Sequence, residues 1–225
     1  MFDSVDEHDA VIGTLPDAER FRASALPTPR RRELVAGRAA LRIALAEVAD
    51  AETALVAITS DDRGAPVLPA GWVGSISHKG ARAAAIVARD AGARIGIDLE
   101  IAAPPRLDIG PRVLTAREHA SLAPLRPDAY GRAVTLRFAI KEAIYKAIDP
   151  FVRRYVGFTE VELDVRDDGS CAVTVLDRGR LPMAIAATWR EVDGYWLATA
   201  SATPLDKGDK SDTVPTRGLE SLNNE

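Results

Sequence analysis

Residues 72–100 read WVGSISHKGARAAAIVARDAGARIGIDLE, and their spacing decides the fold class. Three short apolar runs, 72–78, 82–88 and 94–100, are separated by turns containing Gly80 and Gly92. Runs of this length, rich in Val and Ile and bounded by glycine, read as strands, so the stretch predicts a small sheet. The third run ends Gly96-Ile97-Asp98-Leu99-Glu100. Residues two apart in a strand share a face, so Asp98 and Glu100 present two carboxylates side by side. Such a pair repels unless a cation sits between its members. The alternative is a solvated strand end with ordinary surface acids.

Upstream, Arg30 to Val48 reads as a helix with Leu34, Leu41, Leu45 and Val48 on one face and Arg30, Arg31 and Arg32 in its first turn. Residues 54–59 (ALVAIT) read as a strand, followed by a Gly/Pro-rich loop at 61–71. Downstream, Pro104 and Pro105 mark residues 103–106 as a linker. Thr115 and Glu118 have capping-box spacing. A helix is expected from Asp128 as N-cap to Ile148, stopping before Pro150. Four strand-like runs follow near 159–165, 171–176, 184–190 and 195–201. The plan is α+β, in an N-terminal half (1–102), the linker, a C-terminal half (107–203) and a polar tail (204–225) expected to be disordered. No residue-level repeat relates the halves.

The 225 residues, 47% apolar and 28% charged, can bury one large core or two small ones. No apolar run approaches the roughly 18 residues of a membrane span, and the acidic start lacks a basic n-region, so a cytoplasmic location without membrane insertion is expected. A single cysteine, Cys171, excludes an intrachain disulfide, and three histidines (His8, His78, His119) supply no zinc set. A bound metal must therefore have oxygen ligands. Of 29 basic residues only five are lysine, and three of these, Lys79, Lys141 and Lys146, lie outside the polar tail. The net charge of −4 conceals a body, residues 20–204, with 26 basic and 22 acidic side chains, hence about +4. That balance suits a phosphate-bearing ligand or an acidic partner. Nucleic acid is disfavoured by a pI near 5.5 and the lack of a basic, aromatic-interleaved stripe.

Two further segments could carry chemistry. In Phe138-Ala-Ile-Lys141-Glu142-Ala-Ile-Tyr145-Lys146-Ala147, Glu142 and Lys146 are i,i+4 neighbours. Alone, they make a solvent-facing pair worth about 0.2–0.5 kcal/mol. Gly74-Ser75-Ile76-Ser77-His78-Lys79-Gly80 offers hydroxyl, imidazole, ammonium and backbone N–H groups at one turn, a phosphate-contact set. Arg30–Arg32 at a helix start, with Arg38 two turns on, either clamp a phosphate or form a solvated basic face. A P-loop and a Gly-x-Gly-x-x-Gly are both missing.

Taken together and in this order, RRRELVAGRAALR (30–42), RGAPVLPAGWVGSISHKG (63–80), RIGIDLE (94–100) and LRFAIKEAIYKAIDPFVRRYVGF (136–158) resemble the larger, monomeric 4′-phosphopantetheinyl transferases of surfactin, enterobactin and mycobacterial lipid biosynthesis. The resemblance implies two similar α+β halves about a pseudo-twofold axis, with coenzyme A in the cleft between them. It implies Mg²⁺, replaceable by Mn²⁺, on Asp98, Glu100 and Glu142. Asp98, Glu142 and Lys146 then match the catalytic set, with Glu142 as base for the carrier serine. Lys141 and Lys146 match phosphate-side lysines, and Ser77 and His78 match the coenzyme-contacting loop. Arg30, Arg38 and Arg63 match basic positions around the 3′-phosphate and adenine. The chain departs from relatives at Phe138, where some have Trp, and at Ala65, where the surfactin type has Lys and Arg63 supplies the charge here. Lys79 occupies a variable position.

The implied reaction moves the phosphopantetheine arm to a serine of an acyl, peptidyl or aryl carrier domain, releasing 3′,5′-ADP. Carriers of this class are acidic near that serine, which suits the positive body. The same residues leave room for two rivals, a Mg²⁺-dependent nucleotide-diphosphate hydrolase and a non-catalytic protein that binds coenzyme A or the carrier.

Overall fold

A computed structural model describes residues 12–177 and 181–205. Helix α1 (Asp17–Ser24) leads into α2 (Thr28–Val48), which has Pro at its N-terminal turn and buries Val35, Leu41 and Leu45 completely. Residues 54–59 do not form the expected strand. Asp50 accepts a hydrogen bond from the Thr53 N–H (2.7 Å) and caps a short helix, α3 (Ala51–Leu55), leaving only Thr59–Ser60 as strand β1, paired with β2 (Pro66–Val67). A good local cap has overridden strand-like composition.

Strands β3 (Trp72–Lys79) and β4 (Arg82–Arg89) form the expected antiparallel hairpin. The third run is β5 (Arg94–Ile101), but its ladder partner lies far along the chain. It pairs antiparallel with β9 (Tyr195–Pro204) at the edge of a five-stranded sheet ordered β5-β9-β8-β7-β6, with β6 (Val161–Val165), β7 (Ser170–Val175) and β8 (Met183–Val192). The free edge of β5 faces β3 through side chains. The Ser75 hydroxyl accepts from the Ile97 N–H (3.2 Å) and the Ser77 hydroxyl from the Leu99 N–H (3.1 Å). Two buried serines thus satisfy backbone groups that a ladder would otherwise have to satisfy. Strand β9 includes Thr203 and Pro204, so the structured body reaches further into the expected tail; residues 206–225 lie outside the described residues.

Helix α4 (Gly110–Val113) and α5 (Ala116–Leu122) precede α6 (Pro127–Val152). The Thr115–Glu118 capping box forms as expected. Helix α6 starts after Arg126 rather than Asp128 and runs through Pro150 into its last turn. It stops at Arg153, whose left-handed φ of 45° turns the chain away. Near the C-terminal end, the ring of Pro150 disturbs few remaining hydrogen bonds.

Each long helix lies across strands, α2 on β3 and β4, α6 on β5 and β9. On α6, Ile140, Ile144 and Ile148 enter the main core, each burial contributing about 1.5–3 kcal/mol. Ala139, Ala143 and Ala147, also fully buried, lie one helical turn apart and present almost no side chain. Opposite them Gly96 lets β5 approach so closely that an added Cβ would stand 2.9 Å from the Ala147 nitrogen. This seam fixes the height of α6 above Asp98.

Candidate functional site

Alternation along β5 turns Gly96, Asp98 and Glu100 toward α6. The Lys146 ammonium meets the Ile97 carbonyl (2.9 Å) and Asp98 Oδ1 (2.7 Å). The Ser77 hydroxyl donates to that same Oδ1 (2.9 Å). Asp98 is only 5% exposed, yet its Oδ2 has no partner. A buried carboxylate oxygen without a donor is costly and calls for a cation or a ligand.

Glu142 stands one turn before Lys146. Burial first, then the negative charge of Asp98, raises its pKa above the ordinary carboxylate value; Lys146 opposes this and Glu100 adds to it. Glu100 is also raised, mainly by burial, against the pull of Lys79, whose ammonium lies 2.6 Å from Glu100 Oε2. The three acids therefore sense one another. All their donors are oxygens, the donor set of a hard divalent cation. The orphaned Oδ2 of Asp98 and the mutual repulsion fit such an ion. Among the described residues, however, no three His, Cys, Asp or Glu side chains are already gathered into a metal-ready cluster. Ammonium groups hold Asp98 and Glu100 instead.

Beside these acids opens a cavity of about 780 Å³. One wall is α6, from which Glu142, Tyr145, Lys146 and Asp149 face inward at helical spacing. The opposite wall carries Arg30, Arg38 and His78, and Arg63 lies on the 60–68 loop. Arg30 pairs with Glu33 (2.8 Å), which also lies 3.7 Å from His78 Nε2. Arg38 is buried, its guanidinium bonded to the Thr59 carbonyl and the Ser60 hydroxyl (both 2.8 Å), and burial lowers its pKa. Arg63 clasps Asp149 with two hydrogen bonds (2.6 and 2.5 Å) and reaches the Tyr145 hydroxyl (3.0 Å), so its pKa is raised chiefly by the Asp149 bond.

Four of the expected site residues, Asp98, Glu100, Ser77 and Lys141, do not line this cavity, Asp98 and Glu100 standing behind Lys146 and Lys79. Lys141 does not line the cavity; it is fully buried on another side of α6, donating to Glu118 Oε2 (2.7 Å) and the Val113 carbonyl (2.8 Å). Glu118 also accepts from the Thr115 and Leu163 N–H groups, which makes this pair an anchor for α5, α6 and β6. Ser77 also lies off the cavity wall; it orients Asp98. Sequence reasoning missed Arg22, Ser75, Arg94, Tyr145 and Asp149 on the lining. Tyr145 and Asp149 follow Glu142 by three and seven residues, so helical spacing alone would have found them.

Fold and site define a protein that can seat a phosphate-rich ligand in a cavity lined by Arg30, Arg38, Arg63, Glu142 and Lys146. The family model for the 4′-phosphopantetheinyl transferase superfamily matches residues 94–200, and that for the 4′-phosphopantetheinyl transferase N-terminal domain matches residues 17–88. The chain is 38% identical over 148 residues to the 4′-phosphopantetheinyl transferase Npt of Nocardia iowensis, a match spanning 63% of this chain and 62% of that protein. It is 33% identical over 191 residues to the enterobactin synthase component D of Salmonella typhimurium, spanning 84% of this chain and 73% of that one. A solved holo-(acyl-carrier-protein) synthase from Bacillus anthracis in complex with CoA (3′,5′-ADP) aligns with 49% of this chain and 96% of that chain at 22% identity and a TM-score of 0.41. The chain belongs to the 4′-phosphopantetheinyl transferase superfamily.

Proposed function

We propose that this protein moves the 4′-phosphopantetheine arm of coenzyme A onto a serine of an acyl, peptidyl or aryl carrier protein, acting as a cytoplasmic monomer. The observation that carries the reading is the pairing of a buried, partnerless Asp98 oxygen and the raised Glu142 carboxyl with an arginine-lined cavity. In this reading Arg30, Arg38 and Arg63 hold the 3′-phosphate and adenine side, and His78 contacts the coenzyme. Arg63 reaches the ligand by exchanging Asp149 for a phosphate. Asp98, Glu100 and Glu142 would hold Mg²⁺, which supplies positive charge to the diphosphate.

The serine oxygen forms a bond to the phosphorus that carries the pantetheine arm, and the bond from that phosphorus to the oxygen of the adenosine-side phosphate breaks. The electron pair leaves with 3′,5′-ADP. Glu142 takes the serine proton, its pKa raised above the ordinary carboxylate value by burial first and then by the charge of Asp98. Lys146, anchored on Asp98 and the Ile97 carbonyl, adds a positive charge beside the developing phosphate charge. Among the described residues, no helix is long and apolar enough to cross a membrane.

Incubation with coenzyme A, Mg²⁺ and a panel of apo carriers, read by intact mass, tests the proposal. The expected result is a carrier heavier by one phosphopantetheine arm and an equal amount of 3′,5′-ADP, both abolished in Glu142→Gln. No mass gain on any carrier overturns it. Release of phosphopantetheine to water without a carrier would assign the site to a hydrolase instead.

A further inference from the structure

Lys79 lies at the end of β3, and nothing in the reaction above uses it. Its ammonium sits on Glu100 Oε2 at 2.6 Å, with the lysine side chain 41% exposed and the glutamate only 14%. The other two acids are differently placed. Asp98 spends Oδ1 on Ser77 and Lys146 and leaves Oδ2 partnerless, and no hydrogen bond or ion pair engages Glu142 among the described residues. Glu142 therefore stands open to a cation and Asp98 keeps one oxygen for it, whereas Glu100, like Asp98, already holds an ammonium.

We propose that Lys79 is a tethered counter-ion of the metal site, competing with the divalent cation for Glu100 and so setting how tightly the site takes metal. The inference rests on the assignment of Asp98, Glu100 and Glu142 to a metal. For Glu100 to ligate, the ammonium must leave a half-buried carboxylate, and the ion-pair energy is subtracted from the metal's binding energy. The exposed stem of Lys79 gives it somewhere to go. The same competition accounts for three mutually repelling acids that are not gathered into a ready cluster. Lys79 is thus a tuning residue for metal affinity.

The test measures Mn²⁺ binding to the full chain, without coenzyme A or carrier, by the loss of the free Mn²⁺ electron paramagnetic resonance signal. Lys79→Met should bind Mn²⁺ about fivefold to tenfold more tightly than the unmodified chain, the range expected when an ion pair between exposed and buried limits is removed. Lys79→Arg keeps the charge and should bind like the unmodified chain. Glu100→Gln should weaken binding far more in the Lys79→Met background than in the unmodified one, because the acid is released only there. Melting curves of each variant confirm folding. A Lys79→Met affinity within twofold of the unmodified chain overturns the inference. So does a Glu100→Gln effect equal in both backgrounds, or no Mn²⁺ binding by any variant. The readout needs no arm transfer, so a chain that modifies carriers while Lys79→Met leaves Mn²⁺ affinity unchanged loses this inference alone.

Discussion

Replacing Gly96 with alanine should pry α6 off β5 and damage stability and site together. A Cβ at position 96 would fall well inside contact distance of the Ala143 carbonyl oxygen, 2.9 Å from the Ala147 nitrogen and 3.0 Å from the Ala143 carbonyl carbon. Carbon atoms pack at about 3.5–4.0 Å, so even the two looser contacts require the elements to part by more than about half an ångström. The deeper overlap with the carbonyl oxygen brings the displacement to the order of 1 Å. These obstacles are backbone atoms in the middle of a helix, and no side-chain rotation relieves them. Overpacking a core costs about 1–3 kcal/mol, and a backbone obstacle belongs at the top of that range. For a chain of this size, about 3 kcal/mol lowers the melting temperature by about 6–12 °C. The same displacement would stretch the Lys146 bonds to Ile97 and Asp98, now 2.9 and 2.7 Å, so kcat should fall even at a temperature where the variant is fully folded. Differential scanning calorimetry and single-turnover transfer at 15 °C measure the two effects. A melting temperature within 2 °C of the unmodified protein would refute the close-packing argument.

Two other perturbations separate structural from catalytic groups. Lys141→Met breaks a fully buried pair and leaves Glu118 charged in the core, a change that costs about 3–5 kcal/mol. It should therefore lower the urea midpoint sharply while leaving the KM for coenzyme A of the remaining folded protein unchanged; a raised KM at unchanged stability would return Lys141 to the phosphate site. Burial pushes the Cys171 thiol up to about 12, so it should resist Ellman's reagent at pH 8 in the native protein and react at once in guanidinium chloride. Because the unfolded thiol loses its proton near the ordinary thiol value of 9.0, the contribution of Cys171 to stability is complete below about pH 9 and is lost as pH climbs toward 12, relative to a Cys171→Ala control.

The strands of residues 72–100 were legible because both their alternation and their glycine turns are local. So was the Thr115–Glu118 cap. The strand expected at 54–59 failed because one side chain, Asp50, capped a helix there. The helix end was misread at Pro150, since a proline rule made for helix interiors weakens in the last turn. Among site residues, Asp98 and Glu100 shared a face as the period of two demands, and Glu142 and Lys146 shared a cavity wall as i,i+4 spacing demands. Lys141 is five residues from Lys146, about 140° around the helix, so the two could not both face the ligand. That geometry was available in the sequence and outweighed the motif.

By itself the sequence determined the α+β plan and the carboxylates on β5 and α6, because these depend on residue type and short-range periodicity. Tertiary structure alone decided that β5 pairs with β9 while leaning on Ser75 and Ser77, that Arg63 crosses to Asp149, and that Glu100 is held by Lys79. Each of these joins groups 21 to 108 residues apart, from Lys79–Glu100 to Arg94–Ala202. Such pairings follow from which surfaces pack together, and that is settled by the closure of the whole core rather than by any window of sequence.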